Sequence, residues 1–399
     1  MKTAAALAVL LAQLPAADFE IRLDRVRKGY DGRYCWVHAR AGAIPGEPPK
    51  VVLTMQKLLL TGSDVFYALN EMRTDDMGRT WRGPKEHAET LGRREEAGGI
   101  VVAASDFWPK WHAATGKLLG IGHTVRYRDN RVARDVPRQT VWSVYDAASE
   151  TWTPWAALPM PGEQFFNAGA GCAQRVDLPD GRILIPIYHS ARGARYARVS
   201  VTRCRFDGAR LALDAVGNQL AVDEDRGLAE PSLTRFRDRF YLTIRQDARG
   251  YVTSSADGLR FDAPKPWLWD DGSALGNYNT QTHWVTHSDA LYLVYTRRGA
   301  GNDHVFRHRA PLFIARVDPD TLRVIRSTER VLVPERGARL GNFGVTEVNA
   351  NETWVTVTEW MQTWGPDFVL KPDNPYGADN TLYAARILWS KPNRSWNRH

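Results

Sequence analysis

The segment 227–246, GLAEPSLTRFRDRFYLTIRQ, carries a carboxylate near one end and a guanidinium near the other. Between Glu230 and Arg245 the residues alternate as two short strands around a turn at Arg237-Asp238. Residues placed symmetrically about that turn face each other, which sets Glu230 across from Arg245. A guanidinium there keeps the acid ionised and is itself oriented by it. Such a pair is either a solvated ion pair of small energetic consequence or half of a site. Other groups suited to proton transfer or anion contact recur at equivalent strand ends: Asp106, His112, His123, Asn167, His189, Gln281, His283, Asp303, His304 and His308. The chain has ten histidines in all, so this many at one predicted face exceeds what a random surface would carry. The spacing of His112 and His123 matches no metal-ligand pattern, and neither a metal nor a cofactor is expected.

The elements that must position these residues are hairpins. One unit recurs, an alternating strand, a short turn and a second strand ending in polar residues. It occurs in AGCAQRVDLPDGRILIPIYH, AEPSLTRFRDRFYLTIRQ, YNTQTHWVTHSDALYLVYTRR and NFGVTEVNANETWVTVTEW. Two further copies are DFWPKWHAATGKLLGIGH and, with a wide turn, YCWVHARAGAIPGEPPKVVLTMQ. The units recur every 50 to 70 residues or so, a period of repeat architectures. An all-β chain with this period predicts a six-bladed β-propeller of four-stranded antiparallel blades, in which the open ends of all hairpins converge on one face. A β-sandwich is the alternative, but it does not predict long regular repeats. The stretch TDDMGRTW (74–81) fits the pattern S/T-x-D-x-G-x-T-W: the acid caps a turn, Gly78 permits positive φ and Trp81 packs into the blade. Degenerate echoes are SSADGLRF at 254–261 and SVYDAASETW at 143–152.

Composition narrows the class. The 399 residues carry a net charge of +8 and include 15 Trp, a load that suits both β structure and packing against sugar rings. The basic balance favours anionic partners. Arginine rather than lysine dominates and no basic block occurs, which disfavours nucleic acid and favours geometry-specific anion contacts. The N-terminus, MKTAAALAVLLAQLPAADFE, reads as a secretory signal over 1–17, leaving 18–399 as one secreted or periplasmic domain. No later apolar run reaches spanning length, so no membrane span is expected. Cys35, Cys172 and Cys204 are odd in number and are expected as buried small hydrophobes.

With the 74–81 motif and the 227–246 hairpin in hand, the chain resembles the sialidase superfamily, six-bladed propellers with Asp-boxes. In that family an E-P opens the fourth blade and an arginine ends its second strand, which match Glu230-Pro231 and Arg245. The resemblance implies three arginines holding a substrate carboxylate. Arg40 in HARAGAIPG is similar to the first, without an intact R-I-P, Arg245 to the second and Arg309 to the third, with Arg297, Arg298 and Arg307 as rivals. It also implies an acid/base aspartate before the first Asp-box, which Asp64 resembles, and a glutamate late in blade six, which Glu359 matches. His123, His189 and Gln281 join the substrate-binding set.

One departure is chemical. The family's tyrosine nucleophile opens blade six, with the blade-four glutamate as its base. The matching position here is Phe343, which cannot attack, and the nearest tyrosine is Tyr278, one blade earlier. Either the blade register differs, or Tyr278 takes the role, or the reaction is another. Three functions follow: a secreted exo-glycosidase removing a terminal acidic sugar, a lyase or other glycosidase acting on uronate-containing polysaccharide, or a glycan-binding propeller without catalysis. The expected partner is an anionic glycan and the expected state a monomer.

Overall fold

The computed structural model describes residues 18–61, 64–363 and 369–395. The predicted signal segment, 1–17, lies outside the described residues. Within them the chain is an all-β propeller built of antiparallel sheets.

Six sheets follow in chain order, and in five of them the inner pair is one of the hairpins read from the sequence; in the third the innermost strand, Asn167–Gly169, precedes the predicted hairpin at 170–189, of which Val176–Asp177 also pairs with Arg182–Ser190. The inner strands are Tyr34–Ile44, Ile100–His112, Asn167–Gly169, Ala229–Phe236, His283–His287 and Phe343–Asn349. Tyr34–Ile44 packs against both Ile100–His112 and Phe343–Asn349, so the sheets close on themselves. Side chains bridge different sheets near the axis. Thr54 donates to the Phe107 carbonyl at 3.0 Å, and Gln174 to that of Trp284 at 2.9 Å. Inner strands are buried on both faces over most of their length.

The expectation of four strands throughout needs correction. Three sheets have four strands, two have five and the second has seven. The extras are two- to four-residue strands that cap or extend a sheet, such as Arg94–Glu96 on the inner strand of the second. The sixth sheet is composite. Its outer strand is Phe19–Arg27, from the other end of the chain, paired with Leu382–Trp389.

The 74–81 turn forms as its residues predict. Thr74 Oγ1 accepts from the Gly78 amide at 2.9 Å, and Asp76 accepts from the Thr80 amide at 2.9 Å and its hydroxyl at 2.7 Å. Trp81 then lies against Trp354 of the sixth sheet, with ring centroids 6.1 Å apart. Ser255 and Asp257 repeat the pattern, with Gly258 donating to Ser255 at 2.9 Å and Arg260 to Asp257 at 2.7 Å. At 143–152 the turn is simpler: Asp146 accepts from the Ala148 and Ser149 amides. These turns fix where third strands end, and so fix the height at which the inner hairpins open.

Candidate active site

The hairpin ends that converge on the axis are not regular. In three of the first four sheets the inner strand slips register by one residue, and the residue pushed out of the ladder has positive φ. These are His38 (φ 57°), Asp106 (φ 50°) and Glu230 (φ 44°). In the third sheet Cys172 (φ 57°) stands just past the strand, its amide on the Asp106 carbonyl at 3.0 Å. Positive φ is uncommon for residues with a Cβ, and its recurrence at one level marks a built feature. In the fourth sheet Pro231 gives part of the reason, since it has no N–H to offer the ladder. Symmetric pairing about the turn therefore holds from Phe236–Arg239 to Ser232–Thr243, and then Ala229, not Glu230, faces Arg245. The Glu230 side chain, freed by the bulge, still accepts from Arg245 Nη1.

Around Asp106 three basic groups gather. Arg40 Nη2 lies 2.8 Å, His38 Nε2 3.4 Å and His123 Nε2 3.8 Å from its carboxylate. Burial alone would push the Asp106 carboxyl up, but His38, Arg40 and His123 together hold it well below the usual range. Arg40 is fully buried and also donates to Gln281 at 2.9 Å. Gly344 makes room for it, since a Cβ there would stand 2.9 Å from Arg40 Cγ. Arg40 is thus turned to Asp106 and Gln281, a different placement from the carboxylate-holding one expected of it.

On the far side of Asp106, His123 Nδ1 lies 3.2 Å from the Tyr188 hydroxyl. Burial pushes the imidazole down to about 4, against the opposing pull of Asp106, so the ring is neutral at neutral pH. Burial raises the Tyr188 phenol, which keeps its proton. The Arg138 guanidinium covers the Tyr188 ring at 4.4 Å. A Cβ at Gly171 would sit 2.1 Å from His123 Nδ1, so glycine here is what lets the imidazole approach the third sheet.

Glu230 and Arg245 form the second group. Arg245 Nη2 donates to Asn279 Oδ1 at 2.6 Å, and the Asn279 carbonyl accepts from Arg309. Burial would lift the Glu230 carboxyl, but Arg245 outweighs it and holds Glu230 below its ordinary value. Arg309 is 5% exposed and forms no ion pair among the described residues. Burial and then the charges of Arg245, Arg339 and Arg307 depress its basicity strongly, yet a guanidinium does not give up its proton in a protein. Asp64 adjoins this group, its charge favouring the protonated forms of Arg339 and Arg307. Buried and unbonded among the described residues are Glu230 Oε2 and the Nε atoms of Arg40, Arg245 and Arg309.

Several expected residues are engaged elsewhere. Tyr278 bonds to His308 Nδ1 at 2.6 Å and lies under Arg298 at 4.1 Å; no hydrogen bond joins it to Glu230 among the described residues. Arg297 is paired with Glu329 at 2.6 Å. Glu359 accepts from the amides of Asp379 and Thr381 and from Tyr383, and it ties down a loop. His189 bonds to the Gln164 carbonyl and to Ser200, each at 3.0 Å. His112 sits at the turn end of its hairpin, bonded to Thr115 and the Gly181 carbonyl. His283 lies deeper, bonded to Ser232 at 2.6 Å and Gln281 at 3.2 Å. Phe343 is fully buried against it, ring centroids 4.6 Å apart. Below that layer, at the turn end of the axis, a cavity of about 130 Å³ is lined by Trp108, Trp111, Arg175, Trp284 and Thr346.

Sequence reasoning missed His38, Arg138, Tyr188, Asn279 and Arg339. For Tyr188 the signal was present but read one residue late. Tyr188 and His189 are neighbours on one strand and point to opposite faces, and the tyrosine is the one that meets His123.

No protein-family model matches the chain, and no curated protein matches it. Solved structures do. A protein of unknown function from Dyadobacter fermentans DSM 18053 aligns with TM-score 0.61 at 13% identity, over 92% of this chain and 99% of its own. The NanB sialidase of Streptococcus pneumoniae aligns with TM-score 0.63 at 9% identity, over 92% of this chain and 70% of its own. The Trypanosoma rangeli sialidase, in complex with a difluoro-KDN, aligns with TM-score 0.58 at 12% identity, over 92% of this chain and 58% of its own. This chain thus spans less than two thirds of that enzyme. The likeness establishes a sialidase-like propeller fold.

Proposed function

We propose that the chain is a six-bladed sialidase-like glycoside hydrolase, exported and monomeric, that binds an acidic sugar in the axial pocket and cleaves the glycosidic bond beside it. The observation that supports this most is Arg309. A buried guanidinium that forms no ion pair among the described residues, beside Arg245, Arg307 and Arg339, gains most from an anion brought in from outside. The planar forks of Arg245 and Arg309 suit a sugar carboxylate. In this reading Asp64 protonates the leaving oxygen and Glu230 stabilises or attacks the developing cation. Tyr278, next in the chain to Asn279, belongs to the pocket wall. The test is turnover of a fluorogenic sialoside. Glu230→Gln is expected to lower it by about 10²- to 10⁴-fold. Absence of turnover by the unaltered protein rejects hydrolysis of sialosides, and full turnover by the variant rejects the role given to Glu230.

One observation favours a second reaction. The neutral imidazole of His123 and the protonated phenol of Tyr188 stand 3.2 Å apart. That pair suits β-elimination at a uronate: a base takes the C5 proton, the C4–O bond breaks as C4=C5 forms, and the leaving oxygen takes up a proton. An unsaturated, ultraviolet-absorbing product from uronate polymers would mark this reaction. Glycan binding with neither product would mark a binding propeller.

A further inference from the structure

From the axial pocket a line of contacts leads outward along the third sheet. His123 meets Tyr188, and Arg138 covers the Tyr188 ring. Arg138 Nε donates to Asn167 Oδ1 at 3.1 Å, and Asn167 Nδ2 donates to Ser190 at 3.4 Å. Ser190 lines a cavity of about 250 Å³ at the open end of this sheet, together with Gln164, His189, Arg195, Tyr196 and Arg198. Two guanidinium groups lie over Tyr196, Arg195 at 5.1 Å and Arg198 at 5.9 Å from its ring centre. Arg198 is paired with Asp223. Arg138 and Arg195 form no ion pair with any carboxylate among the described residues, and their contacts are the Asn167 oxygen and the two tyrosine rings.

An aromatic face beside cations and amide groups is the chemistry that receives a sugar ring bearing an anionic group. A pocket that took only one terminal acidic sugar would need none of it. We infer that the substrate is a polyanionic oligosaccharide whose further charged units lie along Arg138, Tyr196 and Arg195, with one acidic sugar in the axial pocket. This rests on the pocket reading proposed above. The ligand chemistry is a carboxylate or a sulfate on consecutive sugars, and the two sources separate by experiment.

Calorimetry on the full chain with three probes tests it: glucuronate alone, a hyaluronan hexasaccharide carrying carboxylates only, and a chondroitin sulfate hexasaccharide carrying carboxylates and sulfates. At least one hexasaccharide should bind about tenfold or more tighter than glucuronate, and its affinity should fall with added salt. Arg138→Gln and Arg195→Ala should each cut the ratio of hexasaccharide to glucuronate affinity by roughly five- to tenfold. Arg210→Ala, at a turn on the outer part of the same sheet, should leave the ratio as it is. Equal affinity for glucuronate and both hexasaccharides, no binding of either hexasaccharide, or a ratio unmoved by the Arg138 and Arg195 variants overturns the proposal. Hexasaccharide binding that is sensitive to Arg195 but indifferent to Arg245→Gln upholds this track and rejects the pocket reading instead.

Discussion

The inner strands of the first, second and fourth sheets break register at the axis, whereas those of the fifth and sixth run straight there. His283–His287 pairs with Ala290–Tyr295 without a slip, and Phe343–Asn349 is irregular only at its far end. The bulged strands deliver His38, Asp106 and Glu230, groups that exchange or hold protons. The straight strands deliver His283 and Phe343, which are packed and satisfied. On their side of the ring the charge comes from segments beyond the strands, at Arg307, Arg309 and Arg339. A one-residue slip thus frees an ionisable side chain from the ladder, and a straight strand carries packed residues at the same level.

The contrast can be broken by substitution. The largest expected effect is at the fourth-sheet bulge. Arg245→Met leaves Glu230 buried without its cation and should destabilise the fold by about 3 to 5 kcal/mol in urea unfolding. A loss under about 1 kcal/mol would mean the pair is solvated. Next is pH. The His123 imidazole is depressed to about 4 in the folded protein, so between its ordinary value and 4 the unfolded chain binds the proton and the folded one does not. Stability is therefore full above that ordinary value and falls as pH drops toward 4, by about 3 kcal/mol if the whole shift is expressed. His123→Gln should flatten the acid side of the curve, and an unchanged curve would remove His123 as its cause. The smallest effect is on the straight side. Phe343→Tyr would bury a hydroxyl in the His283 layer and cost about 1 to 3 kcal/mol without raising turnover. A gain in turnover would instead return the sixth sheet to the chemistry.

Alternation of apolar residues gave away the hairpins because each inner pair keeps period two over most of its length. The bulges were hidden, since uniform pairing was the only arithmetic available and, Pro231 apart, the slips leave no mark in residue type. Glu230 and Arg245 were found together in spite of it, because a bulged side chain still reaches its neighbour. Arg297 and Glu359 had the right types at the right ends of strands. What engages them are partners distant in sequence, Glu329 for the one and Arg336, Tyr383 and the 379–381 amides for the other. Tyr188 shows the finest limit: on a strand, a choice between neighbours is a choice between faces.

The pairing of Phe19 with Trp389 joins residues at nearly opposite ends of the chain. As the polypeptide is made, five sheets can assemble from local hairpins, but the sixth waits for its third strand and then recruits Phe19–Arg27, made long before it. Arg40 meets Gln281, and Gly344 admits Arg40, only in the closed ring. Binding competence should therefore arrive late and all at once in refolding, after most of the strand signal has recovered, because the latch that completes the circle also completes the pocket.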